Sequence, residues 1–172
     1  MAKWCTIESD PAVFTELIAA MGVQRVSVDE IYSLDESMTN KSYGLIFLFK
    51  WRSEVDSRSV TNDASTEELF FAKQMVQNAC ATQAILSVLM NTEDIELGDQ
   101  LSGLKAFTMA LDSESRGISI GSCDFIRTAH NSFARAEPFL QDDDDDSKRL
   151  SSESEDVFHF IAYIPHKGSV YE

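Results

Sequence analysis

Several kinds of residue are scarce in this chain of 172 residues, and each scarcity excludes a class of protein. The three cysteines, at positions 5, 80 and 123, are too few and too widely spaced for a disulfide framework or a zinc site. No run of about 18 apolar residues occurs, which argues against a membrane-spanning helix. Only seven glycines accompany a content of 44% hydrophobic residues, as expected for a globular protein. We therefore predict one domain over residues 1–172 that needs neither a metal nor a cofactor.

Positive charge is scarce as well. The chain has 14 lysines and arginines against 29 acidic residues, for a formal net charge of −15. Residues 137–156 hold nine acids and two bases, so this segment alone contributes −7. Such a balance argues against binding to nucleic acid or to an anionic membrane, because both would be repelled. A basic partner would fit the acidic segment, and a solvated acidic loop is the alternative.

The pattern of apolar residues predicts the strands. Runs or alternations of strand length lie at residues 4–8, 26–32, 43–49, 157–164 and 169–172. Two of these runs, YGLIFLF at 43–49 and VFHFIAYI at 157–164, are nearly continuous, which is typical of strands covered on both faces. Combined with the helices described next, they indicate a single α/β or α+β domain.

Helices are predicted where apolar residues recur at helical spacing behind a capping residue. They lie between Asp10-Pro11 and Gly22, from Asn78 to Asn91, over residues 97–111, and from a Ser122 cap to Phe133. A capping-box pattern at residues 65–68 could begin one long helix that runs to Asn91. Gln77 and Asn78 interrupt its apolar face, which favours a new start near Asn78. Residues 138–156 are acidic and of low complexity, and we interpret them as a mobile loop.

Cys80 is a candidate nucleophile. A helix that begins at Asn78 would put its sulfur in the first turn, where free backbone N–H groups and the helix dipole favour a thiolate. The alternative is a buried structural cysteine, since unpaired cysteine is among the most buried residue types. A nucleophilic role requires a histidine elsewhere in the chain.

His159 is the best partner among three histidines. His130 lies late in an amphipathic helix, where an exposed or capping role is expected, and His166 lies in a turn. His159 instead interrupts an apolar strand, as a proton-accepting base for Cys80 would on a rigid element. A core histidine bonded to a backbone carbonyl is the alternative. Gln74 could then donate to an oxyanion together with the Cys80 N–H, or could be an ordinary exposed helical glutamine.

Long stretches of this sequence resemble the ubiquitin carboxyl-terminal hydrolases, which are papain-like cysteine peptidases. The order of Gln74, Asn78-Ala79-Cys80 and Phe158-His159-Phe160 matches the family's pattern. Seven further stretches resemble its proteasome-associated member, namely WC at 4–5, ESDP at 8–11, FTELI at 14–18, GLIFLFKW at 44–51, FAKQ at 71–74, HNSFAR at 130–135 and GSVYE at 168–172. The resemblance thus covers essentially the whole chain.

The resemblance implies a fold, a site and a reaction. The fold is an antiparallel β-sheet sandwiched between helices, here incomplete at its C-terminal end. Cys80 becomes the nucleophile, His159 the general base and acid, and Gln74 the oxyanion donor. The reaction is hydrolysis of the amide or isopeptide bond after the last glycine of ubiquitin, through a thioester. The acidic residues 136–156 become a crossover loop that arches over the active site and restricts the leaving group.

One departure from the family pattern concerns the third catalytic residue. It is an aspartate two positions past the Tyr-Glu that is Tyr171-Glu172 here, and the sequence stops at Glu172. We therefore expect this chain to be part of a longer protein. Without that aspartate, the alternative is a ubiquitin-binding module that does not turn over its ligand.

The resemblance also implies partners and a location. Ubiquitin and ubiquitin conjugates are the expected partners, with a proteasome ubiquitin receptor bound through a C-terminal extension. The N-terminal residues MAKWCTIESDP hold one lysine and two acids, unlike a signal peptide, so we expect the protein inside the cell. The family member suggests both cytoplasm and nucleus.

Overall fold

The computed structural model describes residues 3–33, 41–50, 60–61, 66–134 and 158–172. Within these ranges, helices and strands alternate irregularly along the chain. In chain order they are α1 (Pro11–Ala20), β1 (Leu45–Lys50), α2 (Cys80–Met90), α3 (Gly98–Thr108), α4 (Ser113–Gly121), α5 (Asp124–Asn131), β2 (Phe158–His166) and β3 (Ser169–Tyr171).

The three strands form an antiparallel sheet in the order β1-β2-β3. In the β1–β2 ladder, Phe49 pairs with His159 and Leu45 pairs with Tyr163, so residues more than 100 positions apart lie side by side. The β2–β3 hairpin turns at Lys167 and Gly168, both of which have positive φ. The predicted strands at 43–49, 157–164 and 169–172 are therefore confirmed within a residue or two.

Helix α2 packs directly against the sheet. Among the described helices it has the most buried residues. Ala84 contacts the cluster that holds Ala162 and Ile164 of β2, while Ile85 and Leu86 face the larger core. Gly44 marks how close the helix comes, since a Cβ there would lie 3.0 Å from Val88 of the helix and from the Tyr163 carbonyl. Small residues thus allow the helix to approach the strands.

Helix α1 begins and ends where the sequence predicts. The Asp10 carboxylate accepts hydrogen bonds from the N–H groups of Ala12 and Val13, at 2.7 and 3.1 Å. Such a cap contributes about 1 kcal/mol. Gly22, with φ of +93°, reverses the chain after the helix. Phe14 of α1 meets the ring of Phe160 edge-on, with the centroids 5.6 Å apart, and so connects the helix to the sheet.

Two predicted strands are wrong. Residues 26–32 form no strand, because Arg25 adopts a φ of +64° and the N–H of Val28 is bound by the Thr15 hydroxyl at 2.9 Å. Residues 4–8 contribute only a single bridge, between Ile7 and Ala134. Side chains of neighbouring helices provide the hydrogen bonds that a sheet would otherwise supply.

The burial of β1 also differs from the prediction. Phe47 is 48% exposed and Leu48 is 37% exposed, so this apolar strand is not covered on both faces by the described residues. The acidic segment predicted as a loop, residues 136–156, lies outside the described residues.

The helices between residues 109 and 124 differ from the prediction. The sequence did not predict α4, which begins at an Asp112 cap and separates the two predicted helices. Ser122 is the C-terminal cap of α4, whereas α5 starts one residue later behind Cys123. The capping-box pattern at 65–68 begins no helix in the described part, where residues 66–68 form a turn.

Candidate active site

Cys80 is the first residue of α2, as the sequence predicts for a nucleophile. The helix does not continue upstream, because Asn78 adopts a left-handed backbone with φ of +65°. Asparagine tolerates this conformation better than most residues. Its side-chain amide donates to the Trp4 carbonyl at 3.1 Å, which ties the turn to the N-terminal segment. Cys80 is half-buried and pairs with neither of the other two cysteines.

A buried polar network supports this turn from behind. Thr82, in the first turn of α2, lies 2.7 Å from Nδ1 of His130 in α5, and neither side chain is exposed. Nε2 of His130 lies 2.7 Å from the Cys5 carbonyl, which can only accept, so Nε2 carries the proton. Nδ1 is then the acceptor for the Thr82 hydroxyl. The predicted exposed or capping role of His130 is wrong, because its ring connects α2 and α5 to the N-terminal segment.

The same network holds the N-terminal segment in place. The Asn131 side chain accepts from the Cys5 N–H and donates to the Lys3 carbonyl, both at 3.0 Å. Trp4 is 3% exposed, and its ring lies 4.8 Å from that of His130. Burial lowers the pKa of His130 below its ordinary value, so the ring is neutral. Residues 3–5 are thereby fixed beside the start of α2 without a β-ladder.

His159 lies near the start of β2 and is half-buried. Its ring meets that of its cross-strand partner Phe49 edge-on, with the centroids 5.8 Å apart. Phe160 and Ala162 belong to the cluster against α2, so His159, which alternates with them, faces the side of the sheet that carries Phe49. Burial lowers the pKa of His159, which favours the neutral ring that a general base requires.

The two elements that carry the proposed pair are in contact, although strand alternation puts His159 on the face of β2 opposite Phe160 and Ala162, which lie on the α2 side. Helix α2, which starts with Cys80, packs against β2, which carries His159. Direct pairing of the thiol with the imidazole stays a prediction.

Gln74 lies upstream of α2 in an irregular segment, not on a helix. Its side chain is exposed, and its Nε2 donates to the Val76 carbonyl at 3.0 Å. This bond uses one of the two N–H donors of the amide. A main-chain bond of 2.8 Å from the Lys73 N–H to the Ser113 carbonyl attaches the segment to α4. The role of Gln74 as an oxyanion donor stays a prediction.

Within the ranges that the structure describes, no group of three histidine, cysteine or acidic side chains could hold a metal ion. In the same ranges, no helix is long and apolar enough to cross a membrane.

Comparison with known proteins identifies the family. Residues 4–172 match the family model described as ubiquitin carboxyl-terminal hydrolase, family 1. The chain belongs to this family. The resemblance stated from the sequence motifs is therefore confirmed.

Three curated members of the family are similar to this chain over nearly its whole length, but they are longer than it is. It is 48% identical to ubiquitin carboxyl-terminal hydrolase isozyme L5 of Dictyostelium discoideum, over 98% of this chain and 48% of that protein. It is 47% identical to ubiquitin carboxyl-terminal hydrolase 2 of Schizosaccharomyces pombe, over 99% of this chain and 57% of that protein. It is 46% identical to ubiquitin carboxyl-terminal hydrolase ubh-4 of Caenorhabditis elegans, over 99% of this chain and 52% of that protein. The chain thus spans about half the length of these relatives.

Solved structures of a hydrolase confirm the fold. The catalytic domain of Trichinella spiralis UCH37, crystallised with ubiquitin vinyl methyl ester, is 37% identical and superimposes with a TM-score of 0.82. The match covers 99% of this chain and 74% of that domain. A longer form of the same protein, also bound to that ester, matches with a TM-score of 0.75 and is covered over 61% of its length. The predicted combination of helices with an antiparallel sheet is the papain-like fold of this family.

Sequence reasoning missed two supports of the site. His130 stands beside polar neighbours in the sequence, and only the packing of α5 reveals its burial. Helix α4 has few apolar residues, but the Asp112 cap was a local signal that could have revealed it.

Proposed function

We propose that the protein containing this chain is a deubiquitinating thiol hydrolase that cleaves the amide or isopeptide bond after the C-terminal glycine of ubiquitin. The observation that carries the proposal is the position of Cys80 at the first residue of α2, in a chain that belongs to the ubiquitin carboxyl-terminal hydrolases. A thiolate at a helix N-terminus is stabilised by the free N–H groups and by the helix dipole.

The reaction proceeds in two steps. Neutral His159 takes the proton of the Cys80 thiol, and the resulting thiolate attacks the carbonyl of the last glycine. The oxyanion is stabilised by the Cys80 N–H and the Gln74 amide. Protonated His159 gives its proton to the departing amine, which leaves a thioester on Cys80. His159, now neutral, takes a proton from water, whose oxygen attacks the thioester and releases ubiquitin with a free carboxylate.

The family pattern adds an aspartate at the second position after Glu172, and the register of the sheet supports its role. Tyr171 of β3 pairs with Ile164 of β2. If β3 continued in this register, the second position after Glu172 would lie opposite Ile161, on the same face of the sheet as His159. A carboxylate there would lie diagonally across from the imidazole, within reach of it. Such a residue fixes the orientation and the tautomer of a catalytic histidine.

Substitution of His159 tests the mechanism in the full-length protein. We expect His159→Ala to abolish hydrolysis of a fluorogenic ubiquitin C-terminal amide, while binding of ubiquitin, measured by calorimetry, changes little. Because the pKa of His159 is lowered, wild-type activity should fall only when the pH drops below about 6.5.

The outcomes separate the enzyme from the alternative, a ubiquitin-binding module. Full turnover by the His159→Ala protein would refute its role as base. Ubiquitin binding by the wild-type protein without any hydrolysis would support the non-catalytic module.

We further propose that ubiquitin conjugates are the substrates, that a proteasome ubiquitin receptor binds the whole protein, and that the protein acts in cytoplasm and nucleus. The support is the similarity to the proteasome-associated member of the family, together with relatives named as ubiquitin hydrolases. Imaging of a tagged full-length protein, with co-purification of proteasome subunits, tests this assignment. A protein confined to another compartment, or one that never co-purifies with proteasomes, would contradict it.

A further inference from the structure

Helix α4 approaches the segment that carries Gln74 unusually closely. A Cβ on Gly117 would lie 1.9 Å from the Lys73 carbonyl oxygen and 2.8 Å from Cγ of Met75. A Cβ on Gly121 would lie 2.5 Å from a methyl carbon of Val76. Gly117 and Gly121 are four residues apart, so they share one face of the helix. The chain on both sides of Gln74 therefore rests on two glycines of α4.

Polar contacts fix the same segment to α4. The Lys73 N–H donates to the Ser113 carbonyl at 2.8 Å, and the Lys73 ammonium lies 2.9 Å from the Glu114 carboxylate. Arg116, which is 9% exposed, donates to the carbonyls of Leu69 and Phe71 at 3.0 and 3.4 Å. Residues 69–76 thus have contacts to α4 at both ends.

We propose that α4 is a positioning platform that holds Gln74 where its amide can stabilise the oxyanion, with Gly117 and Gly121 as positioning residues. This inference rests on the proposed hydrolase function. It gives a role to a helix that contributes no catalytic group of its own. The Gln74 side chain is bound to the Val76 carbonyl, so a displacement of either Lys73 or Val76 moves the amide.

The expected size of the displacement follows from the contact at Gly117. Real Cβ atoms essentially never approach another heavy atom closer than 3.0 Å, so an alanine at position 117 must increase the separation between α4 and the Lys73 carbonyl by about 1 Å. The helix itself would tolerate the change, because alanine favours a helix over glycine by about 1 kcal/mol. A catalytic group misplaced by about 1 Å can lower the rate by about 10²-fold.

The matched experiment compares two glycine-to-alanine variants of the full-length protein. Gly117→Ala introduces the contact with Lys73, whereas Gly103→Ala changes a glycine of α3 that has no atom within 4 Å of the new Cβ. With a fluorogenic ubiquitin C-terminal amide, we expect Gly117→Ala to lower kcat about 10- to 100-fold and to leave KM within about twofold. Gly103→Ala should keep the wild-type kcat and KM.

A double-mutant cycle shows whether the loss passes through Gln74. We expect Gln74→Ala alone to lower kcat by about 10²–10³-fold, as the removal of an oxyanion donor does. In the Gln74→Ala background, Gly117→Ala should cause no further loss, because the displaced group is already absent. A second, multiplicative loss would show a general structural defect and overturn the platform.

Gly121 gives an independent test that does not depend on the folding of Gly117→Ala. Its contact is with the side chain of Val76, so Gly121→Ala should lower kcat several-fold, and Val76→Ala in that background should restore it. Absence of both the loss and the rescue would overturn the platform.

The same measurements separate this inference from the proposed function. A wild-type protein without turnover contradicts the hydrolase, and a Gln74→Ala variant with wild-type kcat contradicts the oxyanion assignment and the platform together. If both behave as expected and Gly117→Ala keeps the wild-type kcat in a folded protein, only the platform is wrong.

Discussion

His130 is the most consequential single residue outside the proposed catalytic group. Its ring joins Thr82 of α2 to the Cys5 carbonyl, with both contacts at 2.7 Å. Burial lowers the pKa of His130 in the folded chain. The unfolded chain therefore binds the second ring proton of His130, which makes the ring positively charged, more readily than the folded chain does. The stability that the neutral ring provides is therefore complete above about pH 6.5 and is lost as the pH falls below that value.

We expect His130→Ala to lower the free energy of unfolding at pH 7.5 by about 2–4 kcal/mol. The change opens a cavity and leaves the Thr82 hydroxyl and the Cys5 carbonyl unpaired. Urea unfolding at pH 7.5 and at pH 5 measures the effect. The difference between the two proteins should shrink at pH 5, because only the wild type loses the contribution of a neutral ring. A difference that grows toward pH 5 would contradict this account.

At the scale of single residues, the sequence predicted those residues that differ from the pattern of their immediate neighbours. Cys80 lies two residues after Asn78 at the start of an apolar run, and His159 interrupts an apolar strand, so both stood out. The burial of His130 depends on α5 packing beside residues more than 100 positions away, and no local pattern contains that information. The segment that carries Gln74, likewise, contacts α4, which lies far from it in the sequence.

Helix α4 is the element that organises the surroundings of Gln74. Its Arg116 guanidinium donates to the Thr108 and Met109 carbonyls at the end of α3, at 3.2 and 2.8 Å, as well as to Leu69 and Phe71. The C-terminus of a helix attracts positive charge. Arg116 therefore joins α3, α4 and the segment before the active site.

We expect Arg116→Ala to lower the free energy of unfolding by about 2–4 kcal/mol, because several buried carbonyls lose their donor. Arg127→Ala is the matched control, since half-buried Arg127 pairs with Asp124, whose side chain is 83% exposed, and not with several buried carbonyls. It should cost about 0.5 kcal/mol or less. Thermal and urea unfolding of both variants would measure the difference. Equal effects of the two substitutions would refute the joining role of Arg116.

The elements differ in how much of them the sequence could predict. Helix α1 has its cap, its proline and its terminal glycine in local sequence, so its limits were predicted closely. Helix α4 contains two glycines and few apolar residues, and its packing against residues 69–76 supplies what propensity does not. The alternation at 26–32 predicted a strand, but the Thr15 hydroxyl takes the N–H of Val28 that a ladder would need.

At the scale of the whole molecule, long-range packing connects the N-terminal segment, α2 and the sheet. Strand β1 pairs with β2, and residues 3–5 bind α5, so distant parts of the chain depend on one another. The spacing of apolar residues predicted a domain with both helices and strands, whereas the family resemblance predicted its papain-like topology. The chain spans about half of its curated relatives, and the comparison with them made the assignment of the family firm.

The central claim is that Cys80 is the nucleophile that attacks the C-terminus of ubiquitin. A ubiquitin derivative with an electrophilic C-terminus, followed by peptide mass spectrometry, tests it most directly in the full-length protein. We predict one covalent adduct, on Cys80, with Cys5 and Cys123 unmodified and no adduct on the Cys80→Ala variant. Ubiquitin binding without an adduct, or an adduct that persists after Cys80→Ala, would contradict the claim.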